Sequence, residues 1–315
     1  MIPRILIVND RSGPRSKSLA SRLRKRGAIV RSVPLAAIGF DTQAPDGLAI
    51  PAFGGALPHA VLVRSIEGGS FEAVTRRLGV LHAFAKLGVP VWNSAQAIER
   101  CVDKSMTTFL LKTAGLPTPK TFAVEGPAAA QAIAERELPN GPLVLKPLFG
   151  AQGRGIKLIR ALSDLPASEE VGDVYYLQHY VPRPGPPFRD FRVFVCGGEA
   201  VAMMSRRGGD WITNVNRGAT PEPISGSDEA DLTGLAVAAA AAVGADFAGV
   251  DIMRAADGQL TVLEVNSMPA WSGLQSVVSV DIADAIAAAL LKFLADRAEK
   301  MAAPRPYRFA SPANS

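Results

Sequence analysis

Asp251, Glu264 and Asn266 carry side-chain oxygens at a spacing that suits a metal site. They lie in two apolar runs separated by Asp257-Gly258, a dipeptide typical of a two-residue hairpin turn. Such a turn places Asp251 directly opposite Glu264, with Asn266 two residues further along the same face. The opposite face is predicted to be buried core and consists of Val250, Ile252, Leu263 and Val265.

Two carboxylates that face each other across a β-ladder repel, so we expect a positive group between them. Mg²⁺ suits the position because it binds through one or two carboxylates, water and substrate phosphates. The alternative is a pair of acids that turn apart into solvent at a sheet edge. Three oxygen ligands on one face of an apolar hairpin favour the metal.

A second set of residues suits a nucleotide phosphate. Lys146 lies inside the apolar run 143–147, where an unpaired ammonium is unfavourable and a phosphate is a natural partner. The run 150–155, Gly-Ala-Gln-Gly-Arg-Gly, follows it and can turn successive backbone N–H groups toward an anion. By itself this loop could equally be a flexible hairpin tip. It matches neither GxxxxGK[ST] nor a GxGxxG after the first strand, which disfavours P-loop NTPases and Rossmann dehydrogenases.

Several other polar residues gain meaning only in combination. Lys104 begins a helix and by itself reads as an exposed surface lysine. The run 176–181 predicts a strand that ends at Pro182, a hinge whose backbone could meet an adenine edge. Asp190 and Arg192 share one strand face and could form a structural ion pair. Asn214 and Arg217 lie in a polar loop that says little unaided.

Composition and absent motifs narrow the classes further. The chain has 315 residues, 48% hydrophobic and 20% charged, which predicts a soluble globular protein of two or three lobes. Its net charge of +5 is a mild basic excess, and the densest basic run, 22–26, lies at a predicted helix end, where cations suit the helix dipole. A solvated helix end is therefore favoured over a nucleic-acid patch. The three histidines are scattered and no GxSxG occurs, so zinc-protease and serine-hydrolase chemistry is not indicated.

The expected location follows from the cysteines and from the apolar runs. Cys101 and Cys196 lie far apart, which fits neither a disulfide framework nor a thiolate metal site and favours a reducing compartment. The first apolar run is too short for a signal peptide, and 235–243 is about half of a bilayer span. We therefore expect a cytoplasmic protein that binds neither membranes nor nucleic acid.

Alternating strands and helices predict an α/β lobe over 1–95. Hairpins dominate the later part, an α+β pattern, with predicted helices at 227–243 and 281–300. Strand 142–148 should pair with 155–160, and 190–196 with 199–205 across Gly197-Gly198. The predicted divisions are a central part 96–181, a C-terminal part 182–297 and a loose tail 298–315.

In order and spacing, Lys104, Lys146 with its glycine-rich loop, the hinge strand and the acidic hairpin resemble the ATP-grasp superfamily. Within it, the chain resembles the RimK-type α-L-glutamate ligases over about residues 95–297, through 190–192, 213–218, 248–252 and 264–269. Those enzymes add glutamate to ribosomal-protein C-termini or to pterin and deazaflavin cofactors. The resemblance implies an ATP-grasp fold behind a pre-ATP-grasp lobe.

The resemblance also implies roles for individual residues. Lys104 and Lys146 would contact ATP phosphates under a lid formed by Gln152, Gly153 and Gly155. The adenine would lie against Gln178, His179, Tyr180 and Val181, and the ribose against Asp190. Arg217, Asn214 and Arg192 would act at the transferred phosphate and the acyl group. Asp251, Glu264 and Asn266 would hold two Mg²⁺, for which Mn²⁺ can substitute.

Substrates follow from the same resemblance. ATP, L-glutamate and a carboxylate acceptor are expected, in a homo-oligomer. His179 replaces a glutamate of many relatives, and Ile212 replaces an arginine of the ribosomal-protein ligases. The segment 269–275 is more similar to the tetrahydromethanopterin glutamate ligases. The alternatives are a D-alanine–D-alanine-like or amino-acid-biosynthetic ligase and a nucleotide-binding regulatory protein without turnover.

Overall fold

A parallel four-stranded sheet forms the N-terminal part of the protein. The structure is a computed structural model that describes residues 2–10, 13–150, 153–224 and 228–302. The strand order of this sheet is β2-β1-β5-β6, and a two-stranded β3-β4 ribbon lies beside it. Its elements are β1 (Arg4–Asn9), α1 (Pro14–Lys25), β2 (Ile29–Val33), β3 (Gly39–Phe40), β4 (Leu48–Ala49), β5 (Ala60–Ser65), α2 (Phe71–Lys86) and β6 (Val91–Trp92).

Both faces of this sheet are covered, and the apolar runs of its central strands reflect this. The side chains of 5–8 in β1 and 60–63 in β5 are fully buried, so each strand is a continuous apolar run. The predicted α/β lobe is therefore confirmed. The basic residues of 22–25 lie in the last turn of α1, as the helix-dipole argument predicts.

The central part is an antiparallel sheet of order β7-β10-β8-β9. Two helices precede this sheet and meet at Asp103, whose carboxylate accepts hydrogen bonds from the N–H groups of Ser105 and Met106. Lys104 is thus the first residue of a new helix. The elements are α3 (Ala95–Val102), α4 (Lys104–Thr113), β7 (Thr121–Glu125), α5 (Pro127–Glu137), β8 (Leu143–Lys146), β9 (Lys157–Ile159), α6 (Ser168–Val171) and β10 (Val174–His179).

The C-terminal part is an antiparallel sheet of order β13-β12-β11-β14-β15. Helix α7 packs on one face, while α9 packs on the other beside α1 of the N-terminal part. The elements are β11 (Phe188–Cys196), β12 (Glu199–Gly208), β13 (Thr220–Pro223), α7 (Asp228–Val243), β14 (Phe247–Arg254), β15 (Leu260–Asn266), α8 (Ser272–Gln275) and α9 (Ile282–Ala302). Within the residues described, no helix is long and apolar enough to cross a membrane.

The buried amide of Asn93 joins the N-terminal part to the C-terminal sheet. Its Nδ2 donates to the carbonyls of Phe247 and Ser267, at 2.7 and 2.5 Å, and its Oδ1 accepts from the N–H groups of Asp246 and Phe247. Four backbone partners satisfy the side chain completely. This connection fixes the end of β15, and with it the acidic hairpin, against the N-terminal sheet.

Candidate active site

A cleft between the central and C-terminal sheets collects most of the residues singled out by sequence. Its walls come from β8 and β10 on one side and from β11, β14, β15 and the loop after β12 on the other. The predicted site residues that line it are Lys146, Gly153, Gln178, His179, Tyr180, Val181, Asp190, Asn214, Asp251 and Glu264.

The acidic hairpin has the predicted register at its centre, because Asp251 lies directly opposite Glu264. The predicted two-residue turn is wrong: Arg254 pairs with Leu260, so the connection is longer. Beyond the turn the pairing is shifted by one residue, and a bulge between Asp251 and Ile252 reverses this shift, so that Asp251 and Glu264 pair as predicted. For the same reason Leu263 was wrongly predicted to be core. Leu263 lines the cleft, and Val262 is buried in its place.

The positive charge that Asp251 requires comes from two arginines. Arg192 donates from Nε and Nη2 to both carboxylate oxygens, and Nη2 of Arg206 lies 3.1 Å from Oδ1. Burial alone would raise the pKa of Asp251, but the two guanidinium groups outweigh it and lower that pKa below its ordinary value. Asp251 by itself therefore does not need a metal ion to balance its charge.

Asp190 is also paired with Arg206, through two hydrogen bonds of 2.7 Å. The ion pair between Asp190 and Arg192 considered above does not form. Arg206 is 4% exposed and joins two carboxylates of neighbouring strands, a rigid bidentate arrangement. Sequence analysis missed this residue.

Glu264 differs from Asp251 because no hydrogen bond or ion pair holds its carboxylate among the residues described. Its charge acts on Lys146 and Lys104, where it opposes the effect of burial. Burial, with a smaller contribution from the nearby charge of Lys104, lowers the pKa of Lys146 to about 8. Two lysines thus converge on one free carboxylate. Such a group is available for a cation, and two cations nearby are available for phosphate.

Each lysine is also held in position by oxygen atoms. Lys146 Nζ donates to Oε1 of Gln178, at 2.6 Å. Lys104 Nζ donates to the carbonyls of Leu148 and Gly150, at 3.2 and 2.9 Å. Lys104 is therefore not a free surface lysine, because its ammonium joins α4 to the start of the glycine-rich loop.

The hinge residues point in alternate directions, as expected of a strand. Gln178 is 2% exposed and donates to Thr121 Oγ1, at 3.0 Å. The ring of His179 hydrogen-bonds the carboxylate of Glu137, at 2.9 Å, and Tyr180 packs edge-on against Trp211, at 5.8 Å. The unusual His179 therefore has a partner on the helix side of the sheet.

The glycine-rich loop contacts the C-terminal part of the protein. Arg217 Nη1 donates to the carbonyl of Gly153, at 3.3 Å, and a Cβ at Gly153 would lie 3.0 Å from Ile212. Gly153 and Gly155 both have positive φ, at 69° and 70°. Close packing and left-handed backbone together require glycine at these two positions. Gln152 lies outside the described residues.

Asn214 and Asn266 have local roles in this structure. Asn214 Oδ1 accepts from the N–H of Asn216, at 2.9 Å, and so caps the short turn that carries Arg217. Asn266 lies at the end of β15, opposite Gly249. No cluster of three His, Cys, Asp or Glu occurs in the described ranges. Two carboxylates and an amide on one hairpin nevertheless form an all-oxygen donor set that suits Mg²⁺.

Further cleft residues went unnoticed in the sequence. Thr213 is buried, and its hydroxyl has no partner within the described part of the chain. Arg183, Trp211 and Met253 complete the wall. These residues lie in a loop or between apolar neighbours, where side-chain type gives no signal. An unsatisfied hydroxyl in a cleft is available to a ligand.

The architecture is that of ATP-grasp proteins. D-alanine–D-alanine ligase from Bacillus anthracis, solved with ATP, aligns with a TM-score of 0.66 at 16% identity, over 95% of this chain and 99% of that one. The ATP-grasp ligase PsnB, solved with a minimal precursor, Mg and ADP, aligns with a TM-score of 0.68 at 23% identity, over 92% and 98%.

The RimK-like ATP-grasp domain matches residues 101–290, and the chain belongs to this family of carbon–nitrogen ligases. The tetrahydromethanopterin:alpha-L-glutamate ligase of Methanococcus maripaludis is 37% identical over 201 residues, 62% of this chain and 67% of the relative. A probable alpha-L-glutamate ligase of Haemophilus influenzae is 35% identical over 248 residues, 72% and 81%. The predicted fold and family are confirmed.

Proposed function

We propose that this protein forms an amide bond between a carboxylate and the amine of L-glutamate, with conversion of ATP to ADP and phosphate. One observation carries the proposal: the free carboxylate of Glu264 lines the cleft with Lys146, acts electrostatically on both Lys146 and Lys104, and lies opposite the arginine-held Asp251. The names of the relatives support glutamate as the amino acid. The similarity to the tetrahydromethanopterin ligases favours a pterin-like cofactor over a protein terminus as the acceptor.

The chemistry requires activation of the acceptor carboxylate. Its oxygen becomes a leaving group only after the terminal phosphoryl group of ATP is transferred to it, which gives an acyl phosphate. The amine of glutamate then attacks the acyl carbon, the C–N bond forms, phosphate leaves with the C–O electron pair, and the nitrogen gives up one proton, which the departing phosphate or water accepts. No protein nucleophile takes part. The buried thiols agree with this, since burial raises the pKa of both Cys101 and Cys196 to about 12.

We assign the residues of the cleft accordingly. Lys146 and Lys104 hold the phosphates, and the loop that carries Gly153 and Gly155 covers them and excludes water. Residues 178–181 hold the adenine, and Asp190, fixed by Arg206, faces the ribose. Asn214, Arg217 and the backbone beside them approach the acyl group.

Asp251, Glu264 and Asn266 would hold Mg²⁺, with Arg192 fixing the orientation of Asp251. When bound, the metal neutralises charge on the transferred phosphoryl group. The PsnB structure with Mg and ADP supports this assignment at the level of the fold. Two ions, the substitution of Mn²⁺, a homo-oligomer and a cytoplasmic location belong to the same proposal.

Product mass spectrometry tests the proposed function. The full chain is incubated with Mg²⁺, ATP, L-glutamate and carboxylate acceptors, among them pterin cofactors and peptides with free C-termini. The expected product is the acceptor plus one or more glutamyl groups, formed together with ADP. Binding of ATP without ADP release for every acceptor would contradict the proposal and support the regulatory alternative.

A further inference from the structure

Arg64, outside the cleft, is a buried cation with unsatisfied hydrogen-bonding groups. It is 7% exposed, and its guanidinium lies over the ring of Trp271, at 4.2 Å from the centroid. Nη2 donates to the carbonyl of Pro269, at 3.0 Å, whereas Nε and Nη1 have no partner within the described residues. A buried charge without a counter-ion is strongly unfavourable. Burial lowers the pKa of this arginine to about 9.

A second arginine faces the same place. Arg15, in the first turn of α1, donates to Oγ of Ser272, at 2.9 Å, and its charge contributes to the lowered pKa of Arg64. Asp10 lies nearby in sequence, but its carboxylate oxygens accept from the N–H groups of Leu35 and Glu67. Two guanidinium groups thus converge without a carboxylate bound to either in the described part of the chain.

The topology of the N-terminal sheet places Arg64 where open parallel sheets commonly bind ligands. From β1 the chain passes to β2 on one side of the sheet and later to β5 on the other. Open parallel sheets bind ligands at the carboxyl ends of strands where the order reverses in this way. Arg64 is the extra residue of a bulge at that end of β5, because Val8 pairs with Val63 and Asn9 with Ser65. Bulges next to sites re-aim a side chain.

The surroundings of Arg64 are also joined to the acidic hairpin. Pro269, which accepts the hydrogen bond from Arg64, packs on Gly249 of β14. A Cβ at Gly249 would lie 2.9 Å from Cβ of Pro269 and 3.0 Å from Nη1 of Arg192. Pro269 therefore contacts the buried cation and also lies close to Arg192, one of the residues that hold Asp251.

We propose that Arg64 and Arg15 form a subsite for a carboxylate group that a substrate retains during the reaction. A guanidinium binds carboxylate through two parallel hydrogen bonds, and Arg64 has Nε and Nη1 available for them. Arg15 is exposed, so its side chain can turn from Ser272 to admit the ligand and add a second cation. The subsite rests on the proposed function for its role, and two sources share its chemistry: the amino acid and the acceptor.

Direct titration calorimetry on the full chain with Mg²⁺ and a non-hydrolysable ATP analogue tests the subsite. L-Glutamate and L-glutamine probe the amino acid, and glutarate, which has no amine, probes the acceptor. The variants are Arg15→Gln, Arg64→Gln and Arg64→Lys. Lys17→Gln, which removes an exposed charge from the same helix, is the matched control. Melting temperature and analogue affinity report the fold and the nucleotide site.

We expect Arg15→Gln and Arg64→Gln to weaken one carboxylate probe about tenfold or more, with unchanged affinity for the analogue. Arg64→Lys should recover part of the loss, and Lys17→Gln should match the wild type. If the arginine variants lose affinity for L-glutamate and not for glutarate, the subsite binds the amino acid. If they lose affinity for glutarate and not for L-glutamate, the subsite binds the acceptor. If L-glutamine shows the same loss of affinity as L-glutamate, the subsite binds the α-carboxylate of the amino acid.

The subsite is wrong if the wild type binds neither L-glutamate nor glutarate at millimolar concentration. It is also wrong if the arginine variants melt earlier yet bind the probes unchanged, which would make Arg64 a purely structural contact of Trp271. If the wild type binds a probe through these arginines but forms no amide in the product assay, the subsite stands and only the proposed function is contradicted.

Discussion

Arg192 and Asp251 are directly opposite residues of neighbouring strands, joined by hydrogen bonds from two guanidinium nitrogens to two carboxylate oxygens. Arg206 reaches the same carboxylate from β12. The two arginines therefore keep the aspartate ionised and fixed in orientation without a metal ion. Preorganisation of this kind lowers the cost of assembling a site around a cation.

Arg192→Lys should reduce ADP release and weaken its dependence on Mg²⁺, because lysine keeps the charge but cannot form the bidentate contact. We expect about 1–3 kcal/mol of lost stability, since a buried hydrogen-bonded charge is left poorly paired. The lowered pKa of Asp251 contributes stability above its ordinary pKa and loses it as pH falls through the folded value. The acid-unfolding midpoint should therefore move to higher pH. Arg207→Lys, at an exposed pair with Glu222, is the control.

Glu264→Gln should abolish turnover and leave the fold intact. The amide removes a metal ligand and also relieves the opposition of two acids across the ladder. ADP release and thermal melting measure the two effects separately. Glu199→Gln, an exposed acid of the same sheet, should change neither. Full activity of Glu264→Gln would remove the metal assignment.

Lys146 should make nucleotide binding dependent on pH. Its pKa of about 8 means that the ligand-free protein loses this charge near pH 8, so affinity for an ATP analogue should fall as pH rises through that value. Lys146→Met should bind about 10- to 100-fold more weakly at neutral pH and lose this pH dependence. Calorimetry from pH 6.5 to about 9.5 measures both. Lys157→Met, exposed on the same hairpin, serves as the control.

The lowered pKa of Lys146 should also make the stability of the protein depend on pH. The folded pKa of Lys146 lies below its ordinary value of 10.5, so the folded state binds fewer protons between about pH 8 and 10.5. The free energy of unfolding contributed by this group should therefore rise with pH across that window. Denaturant titrations of the wild type and Lys146→Met should differ in this slope, and parallel slopes would contradict the burial of the ammonium.

Gly155→Ala should slow turnover more than it affects binding. Its φ of 70° disfavours a Cβ, which would also lie 2.8 Å from Cγ of Pro147. The strain amounts to about 1 kcal/mol or more and opposes the loop conformation that covers the cleft. Steady-state kcat and the melting temperature measure the change. Gly209→Ala has open space around it and a φ outside the left-handed region, so it should resemble the wild type.

Both hairpins show where sequence reasoning reaches its limit. A two-residue turn at Gly197-Gly198 predicts Ser205 opposite Asp190, but a bulge between Phe194 and Val195 brings Arg206 there instead. The bulge that displaces Leu263 from the core has the same character. A bulge changes which side chains face each other without leaving a mark in the hydrophobic pattern, because only one residue is added.

The sequence by itself determined the family, the fold class and most of the strands and helices, and it supplied the residue types that we propose for phosphate and metal. Those properties depend on short-range periodicity, turn residues and the order of motifs. Tertiary structure alone decided which cation holds which acid. Arg192 and Arg206 bind the carboxylate of Asp251, and the carboxylate of Glu264 has no bonded partner among the described residues. Arg64 donates a hydrogen bond to the segment that follows β15. Such pairings depend on ladder register and on contacts between distant parts of the chain, and local sequence encodes neither.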